Sequence, residues 1–447
     1  MKVAIRPTNR GLVLGMFPLL LSLAACGAGS EESPTPSEGD IEELARGIHE
    51  RVITLDTHVD INAANFSSDR NYTDDLPTQV TLPKMEEGGL DAVFFIVYVG
   101  QGPLTPEGYA GAHASAIEKF DAIHRLTEEI APDRIGLALT SDDVRRIAGE
   151  GRKVALIGVE NGYQLGTDLA NLADFHARGA RYVSLAHNGH SQFSDSNTGE
   201  ASGDFLHGGL SELGGQAVDE LNRLGIMIDI SHPSKPSIMQ TLERTRAPVV
   251  ASHSSARALN DVSRNLDDEQ LLAVRDNGGV VQAVAFRSYL DSEKHTAYQQ
   301  ALDALYGDVA FEMGFEMLGR GAVFELSPEE REEYENKMAQ VRDLAEPRLA
   351  KEVYALAPPV DVGDLVDHID YMVDLIGTEH VGISSDFDGG GGVEGWEDAS
   401  ETYNVTLELV RRGYDEREIG MLWSGNLLRV LDDVQRVARE IQASGGA

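Results

Sequence analysis

The chain has 447 residues, with 37 basic and 74 acidic side chains and a net charge of −37. Such an excess of acid excludes nucleic acid as a partner, because a phosphate backbone is bound by clustered Lys and Arg. One cysteine, Cys26, excludes an intramolecular disulfide and a cysteine-ligated zinc site, so a metal here must be held by His, Asp and Glu.

Lys2, Arg6 and Arg10 precede an apolar stretch, Gly11 to Ala25, that is shorter than the roughly 20 residues a spanning helix needs. It ends Leu23-Ala24-Ala25-Cys26, which resembles a bacterial lipoprotein cleavage box. The expectation is a signal peptide over 1–25 and an exported chain anchored to the cell envelope membrane by a lipid on Cys26. An ordinary export signal with an incidental cysteine is the plainer alternative. Losing Lys2, Arg6 and Arg10 takes the charge from −37 to −40. Residues 26–40, rich in Gly, Ser, Pro and Glu, read as a flexible acidic tether. Residues 41–447 are long enough to bury a large core and read as one catalytic domain.

Within that domain, short apolar runs alternate with longer amphipathic segments. The runs are Val52–Ile61, Asp91–Gly100, Lys153–Glu160, Arg181–His187, Gly225–His232, Pro248–His253, Gly279–Phe286 and His380–Asp386. Most are unbroken Val/Ile/Leu/Ala stretches, as in a parallel sheet covered on both faces. Helical spacing marks Leu210–Leu224, Asp267–Asn277, Val362–Ile376 and Glu416–Ile441, two of them stopped by Gly225 and Gly278. The pattern predicts an α/β, TIM-like (β/α)8 barrel. An open doubly wound sheet is the runner-up, but no Gly-x-Gly-x-x-Gly follows any run. Residues 70–87 and 102–133 read as padding of the early units. Residues 287–359, between the seventh and eighth strands, read as a helical, Glu-rich insertion on the rim.

Barrel chemistry collects where strands run out at their C-terminal ends, and these ends are polar. The first carries His58 and Asp60, which share one face of a strand. The others carry Glu160, His187, His232, His253 and Asp386. One histidine at such a place is more often a satisfied core residue than a ligand. Four of the chain's 13 histidines at equivalent strand ends, with three carboxylates beside them, point to a metal centre. His58, Asp60, His232, His253 and Glu160 exceed one tetrahedral zinc and suit two metals about 3.5–4 Å apart sharing a carboxylate. Glu160, from a strand between the two pairs, is the natural bridge. A hydroxide between two zincs is nucleophilic at neutral pH.

The stretches Asp56-Thr57-His58-Val59-Asp60, Gly158-Val159-Glu160-Asn161-Gly162, Ile228-Asp229-Ile230-Ser231-His232, Ser252-His253-Ser254-Ser255-Ala256, Arg264-Asn265, Ser385-Asp386-Phe387-Asp388-Gly389 and Gly425-Asn426-Leu427 stand in an order and spacing that resembles the membrane (renal) dipeptidase family of zinc peptidases. The resemblance runs from about Ala45 to Val437. It implies two zinc ions per chain, one on His58 and Asp60, the other on His232 and His253, with Glu160 binding both. It implies that His187 steadies the substrate carbonyl oxygen as it becomes anionic. By the same resemblance Arg264 receives the terminal carboxylate, and Asp386 contacts the substrate amine and carries the proton. Tyr289 is a candidate for a further substrate contact. The implied reaction is hydrolysis of a dipeptide by a metal-bridging hydroxide. The expected substrates extend to dipeptides with a C-terminal D-residue. Unlike the vertebrate members, the chain has no cysteine pairs, so a homodimer would be non-covalent. Two other readings compete: a binuclear zinc amidohydrolase acting on N-acyl amino acids, and a non-enzymatic binding lipoprotein built on a decayed barrel.

Overall fold

A computed structural model of the protein describes residues 37–445. The signal peptide, Cys26 and most of the expected tether lie outside these residues. The first helix, Glu38–His49, starts inside the stretch read as tether. Glu38 and Asp40 sit in its first turn, where the helix dipole favours acids, and Arg411 binds Glu38. No helix among the described residues is long and apolar enough to cross a membrane.

The strands are β1 (Leu55–Asp60), β2 (Ala92–Tyr98), β3 (Ile135–Leu137), β4 (Lys153–Glu160), β5 (Ala180–Ser184), β6 (Met227–Asp229), β7 (Val250–Ala251), β8 (Val280–Val284) and β9 (Val381–Ser384). All pairings are parallel, in the order β1-β2-β4-β5-β6-β7-β8-β9. A parallel bridge between Val59 and Phe387, with the Asp60 amide donating to the Phe387 carbonyl at 2.9 Å, brings the last strand back to the first. The result is the eight-stranded TIM-like barrel. β3 was not legible in the sequence: its three residues pair with β4 off the barrel path and are too few to form a periodic run. The late strands are shorter than their apolar runs. β7 keeps only two residues, so the histidines after β5, β6 and β7 stand in loops beyond the ladder.

Successive residues of a strand face opposite ways. Val93, Phe95 and Val97 of β2 pack into the same apolar layer as Phe120 and Ile123 of the helix Pro106–Arg125. Phe94 and Ile96 join the other cluster, with Leu156, Tyr182 and Met227, which Leu427 and Leu431 of the last helix also enter. The segment 102–133, read as padding, thus supplies the helix that covers β2. The helix expected from Glu416 to Ile441 runs unbroken, its regular segments Glu416–Gly420 and Asn426–Ala443 continuous through a wider turn at Met421–Gly425. That turn places Trp423 in the core, its indole N–H donating to Thr406 at 2.9 Å.

Between β8 and β9 lie the helices Arg287–Leu290, Ser292–Glu312, Arg320–Glu325 and Pro328–Leu349. They hold a small core of their own from Leu305, Val309, Ala310, Val341, Ala345 and Val353.

Candidate metal centre and active site

β1 sets the first part of the site. Asp56, His58 and Asp60 alternate along it with period two, and His58 is fully buried. β4 ends at Glu160, which is in register with Tyr98 at the end of β2. His187, His232 and His253 follow β5, β6 and β7 in the loops just past each strand. Asp386 follows β9 with a left-handed backbone, φ 58°, a conformation that a non-glycine residue adopts at some cost and that recurs at functional sites. Gly389 closes this turn: a Cβ there would lie 2.3 Å from Asp386 Oδ1 and 2.5 Å from Asp60 Oδ2. Only glycine lets the chain pass so near two carboxylates.

These side chains converge. His58 Nε2 lies 3.6 Å from Asp60 Oδ2, 3.7 Å from Glu160 Oε1 and 3.8 Å from Asp386 Oδ1. Glu160 Oε1 is 2.9 Å from His232 Nε2 and 3.4 Å from His253 Nε2. Potential ligand atoms of His58, Asp60 and Glu160 lie within 4.8 Å of one another, as do those of Glu160, His232 and His253. Glu160 belongs to both sets. A third set joins His58, His253 and Asp386, so Asp386 stands within reach of the same centre.

The protein atoms alone leave this cluster unsatisfied, which tests its fit to cations. His58 Nε2 and Glu160 Oε1 are buried with no hydrogen-bond partner, an arrangement that costs free energy unless something charged sits between them. Burial pushes Glu160 up to about 8, with Asp60 and Asp386 adding repulsion against the pull of His58. Burial disfavours a charged His58, yet Glu160, Asp60 and Asp386 together hold it up to about 10. The carboxylates therefore demand positive charge, and a divalent cation can supply it in place of a proton. His232 and His253 are held well below 6.5 by burial and by nearby cations, hence neutral with a nitrogen lone pair to offer.

The far ring nitrogens are fixed from behind. The Tyr182 hydroxyl donates to the Thr57 carbonyl at 3.1 Å and so accepts from His58 Nδ1 at 2.9 Å, leaving Nε2 bare. The Ser252 hydroxyl donates to Asp229 at 2.7 Å and accepts from His253 Nδ1 at 2.7 Å. Such partners set the tautomer and aim of a ligating imidazole. Tyr182 fits because Gly158 faces it: a Cβ at Gly158 would sit 2.2 Å from the tyrosine ring. Buried Asp56 accepts the Ser385 amide at 2.9 Å and the Ser385 hydroxyl, bracing the turn that carries Asp386.

A cavity of about 540 Å³ opens over the cluster, with Asp60, Glu160, His187, Arg264, Tyr289 and Asp386 on its walls. Arg264 donates to the Ser231 carbonyl and, at 3.1 Å, to the His253 carbonyl, and its guanidinium lies 5.2 Å from the centre of the Tyr289 ring. Tyr289 stacks on Phe286 at 4.1 Å. His187 is pushed down to about 3 by burial and by the Arg264 cation, so its imidazole is neutral and can donate one N–H. Burial, with repulsion from Asp60 and Asp56 and against attraction from His58 and Arg264, pushes Asp386 up to about 7. Asp388 faces the same cavity, but its carboxylate accepts the Gln79 amide at 2.9 Å.

The family model for membrane dipeptidase (peptidase family M19) matches residues 42–445. The chain belongs to this family. It is 31% identical over 378 residues to dipeptidase aclJ of Aspergillus oryzae, covering 83% of this chain and 74% of that protein. Mouse dipeptidase 3 is 30% identical, over 85% of this chain and 60% of its own length. Among solved structures, the probable dipeptidase PvdM of Pseudomonas aeruginosa matches 90% of this chain and 100% of its own, with 32% identity and a TM-score of 0.71. A metallo peptidase from Rhodobacter sphaeroides, 23% identical with a TM-score of 0.64 over 86% of this chain and 99% of its own, shares the fold. The protein is thus a metallo-dipeptidase, a hydrolase of peptide bonds.

In this dipeptidase, sequence reasoning missed the residues behind the cluster. Tyr182 sits in a run read only as strand. Asp229 and Ser252 lie inside the quoted stretches, but nothing local shows that one reaches the other across two strands. Tyr98 and Lys119, both on the cavity wall, gave no motif.

Proposed function

We propose that the protein cleaves free dipeptides at a centre of two zinc ions, His58 and Asp60 holding one, His232 and His253 the other, and Glu160 both. The observation that carries this reading is the shared position of Glu160, whose Oε1 has no hydrogen-bond partner and faces His58, His232 and His253 at once. When bound, the two cations supply a water deprotonated at neutral pH and polarise the scissile carbonyl.

The chain's own groups do the rest. Arg264, its guanidinium fixed by two carbonyls and Tyr289, receives the dipeptide's terminal carboxylate. Asp386, 3.8 Å from His58, holds the substrate amine, accepts the remaining proton of the attacking hydroxide and passes it to the leaving nitrogen. Neutral His187 donates its N–H to the carbonyl oxygen as charge develops there. Holding a free amine at Asp386 and a free carboxylate at Arg264 limits the substrate to two residues, and Tyr289 borders the carboxylate end.

We further propose that residues 1–25 are removed on export and that a lipid on Cys26 ties the enzyme to the cell envelope, in keeping with a family of membrane dipeptidases.

The test is a metal determination paired with substrate choice. Near two zinc ions per chain and hydrolysis of L,L or L,D dipeptides, with the dipeptide amide cleaved poorly, is the expected result. Hydrolysis of N-acetyl amino acids without dipeptides would show an acylase instead. A zinc-loaded protein that cleaves the amide as well as the free acid would remove Arg264 from its role.

A further inference from the structure

Lys119 is the feature the reaction does not use. It lies near the end of the helix Pro106–Arg125 and forms part of the cavity wall. Four other lysines rest against carboxylates: Lys84 on Asp398, Lys153 on Asp91, Lys235 on Asp267, Lys294 on Asp364. Among the described residues Lys119 has no carboxylate within ion-pair distance, although the chain carries twice as many acids as bases. Its ammonium instead lies 5.7 Å from the centre of the Tyr98 ring. Burial lowers its pKa while Asp60 and Glu160 oppose that, so it sits close enough to the centre to feel both.

The same cavity is bordered by a buried donor without a partner. Tyr72 is 1% exposed, and its hydroxyl has no hydrogen-bond partner. A cation without a counter-ion and a buried hydroxyl without an acceptor both call for an anionic or strongly accepting group in the cavity. Two divalent cations, if held there, would offset the negative charge of Asp60, Glu160 and Asp386, so an added substrate carboxylate would not be repelled from this wall.

The sheet order says which end of the substrate meets it. Around the barrel, β9 carries Asp386, β1 Asp60 and β2 Tyr98, with Lys119 on the helix that follows β2. Arg264 follows β7, on the opposite side of the ring. With the carboxylate at Arg264 and the amine at Asp386, the side chain beside β1 and β2 is that of the N-terminal residue.

We propose that Lys119, with Tyr98, forms a side-chain subsite selecting dipeptides whose N-terminal residue is acidic. The inference rests on the dipeptidase reading and on the assigned roles of Arg264 and Asp386.

The experiment compares kcat/KM of the zinc-loaded protein on Glu-Ala, Ala-Ala, Lys-Ala and Ala-Glu. Glu-Ala should exceed Lys-Ala by about tenfold or more, the discrimination a charge-assisted hydrogen bond supplies. Lys119→Met should lower Glu-Ala about tenfold more than Ala-Ala, Lys119→Arg should keep the preference, and Lys119→Glu should turn it toward Lys-Ala. The inversion cannot arise from misfolding, so it separates a subsite from a structural role. Equal rates on Glu-Ala and Lys-Ala in the parent, or a uniform fall on all four in Lys119→Met, would overturn the subsite. A preference for Ala-Glu over Glu-Ala would overturn its N-terminal placement. If the parent binds zinc and cleaves neither these four nor their counterparts with a C-terminal D-residue, the dipeptidase reading itself fails, a result distinct from the loss of a preference.

Discussion

The barrel mouth and the helical insertion differ in what their buried groups need. At the mouth, His58, Glu160, His232 and His253 are almost wholly buried, and several of their polar atoms have no partner. The insertion buries six apolar side chains in its own core and leaves Phe311 86% and Phe324 82% exposed. Its charged groups pair at the surface, as Arg348 does with Glu352, and such pairs contribute little. The mouth is therefore a place where stability has been given up for ligand binding, while the insertion is a modest helical unit held by ordinary packing. A region that conserves its polar satisfaction is built to fold, and one that violates it is built to bind.

The largest effect expected from breaking this contrast is at Glu160. Glu160→Gln removes the charge both halves of the cluster share, and kcat/KM should fall roughly a thousandfold, about 4 kcal/mol of transition-state stabilisation. Zinc content should drop at both positions together. A variant that keeps full zinc and activity would separate the two halves and remove Glu160 from the bridge.

Leu305→Ala addresses the other region. It deletes a side chain 3% exposed in the small insertion core, a change that costs about 2–5 kcal/mol where the site cannot collapse. Protease cleavage between residues 300 and 350 should accelerate while the barrel's thermal transition moves little. If both regions melt together, the insertion is no separate unit.

Ser252→Ala is the sharper probe of the mouth. It removes the hydroxyl linking Asp229 to His253 without touching a ligand. Zinc affinity, read by competition with a chelator, should fall about 10–100-fold. An unchanged affinity would mean that His253 needs no support from behind.

The smallest effect is on pH dependence away from the mouth. Burial holds His49 and His368 below 6.5. His368 receives the Ala256 amide at 3.1 Å and donates to the Leu290 carbonyl at 2.9 Å. Below 6.5 the unfolded chain binds protons that these folded histidines refuse, so their contribution is complete above that pH and is lost as pH falls through it. The midpoint of thermal unfolding should decline with acid below pH 6.5, and His368→Gln should make that decline shallower. An identical slope in the variant would assign the acid sensitivity elsewhere.

The amino-acid sequence alone determined the alternation of strands and helices, the barrel class, and the polar strand ends. Buried parallel strands must be apolar along their length, and a polar residue at or just past the end of each one breaks that run visibly, as Glu160 and His253 do. It also showed the caps: Gly225 and Gly278 end their helices in left-handed conformations with φ 81° and 83°. It did not show β3, whose three residues carry no period, nor the extent of β7. Only the tertiary structure decided which atoms meet. Tyr182 behind His58, Asp229 behind Ser252, Tyr289 over Arg264 and Lys119 on the cavity wall are all contacts between distant segments. A hydrophobic pattern encodes which face of an element is buried. It does not encode which polar atom of another element will stand opposite, because that depends on how the closed barrel sets every strand end against the others.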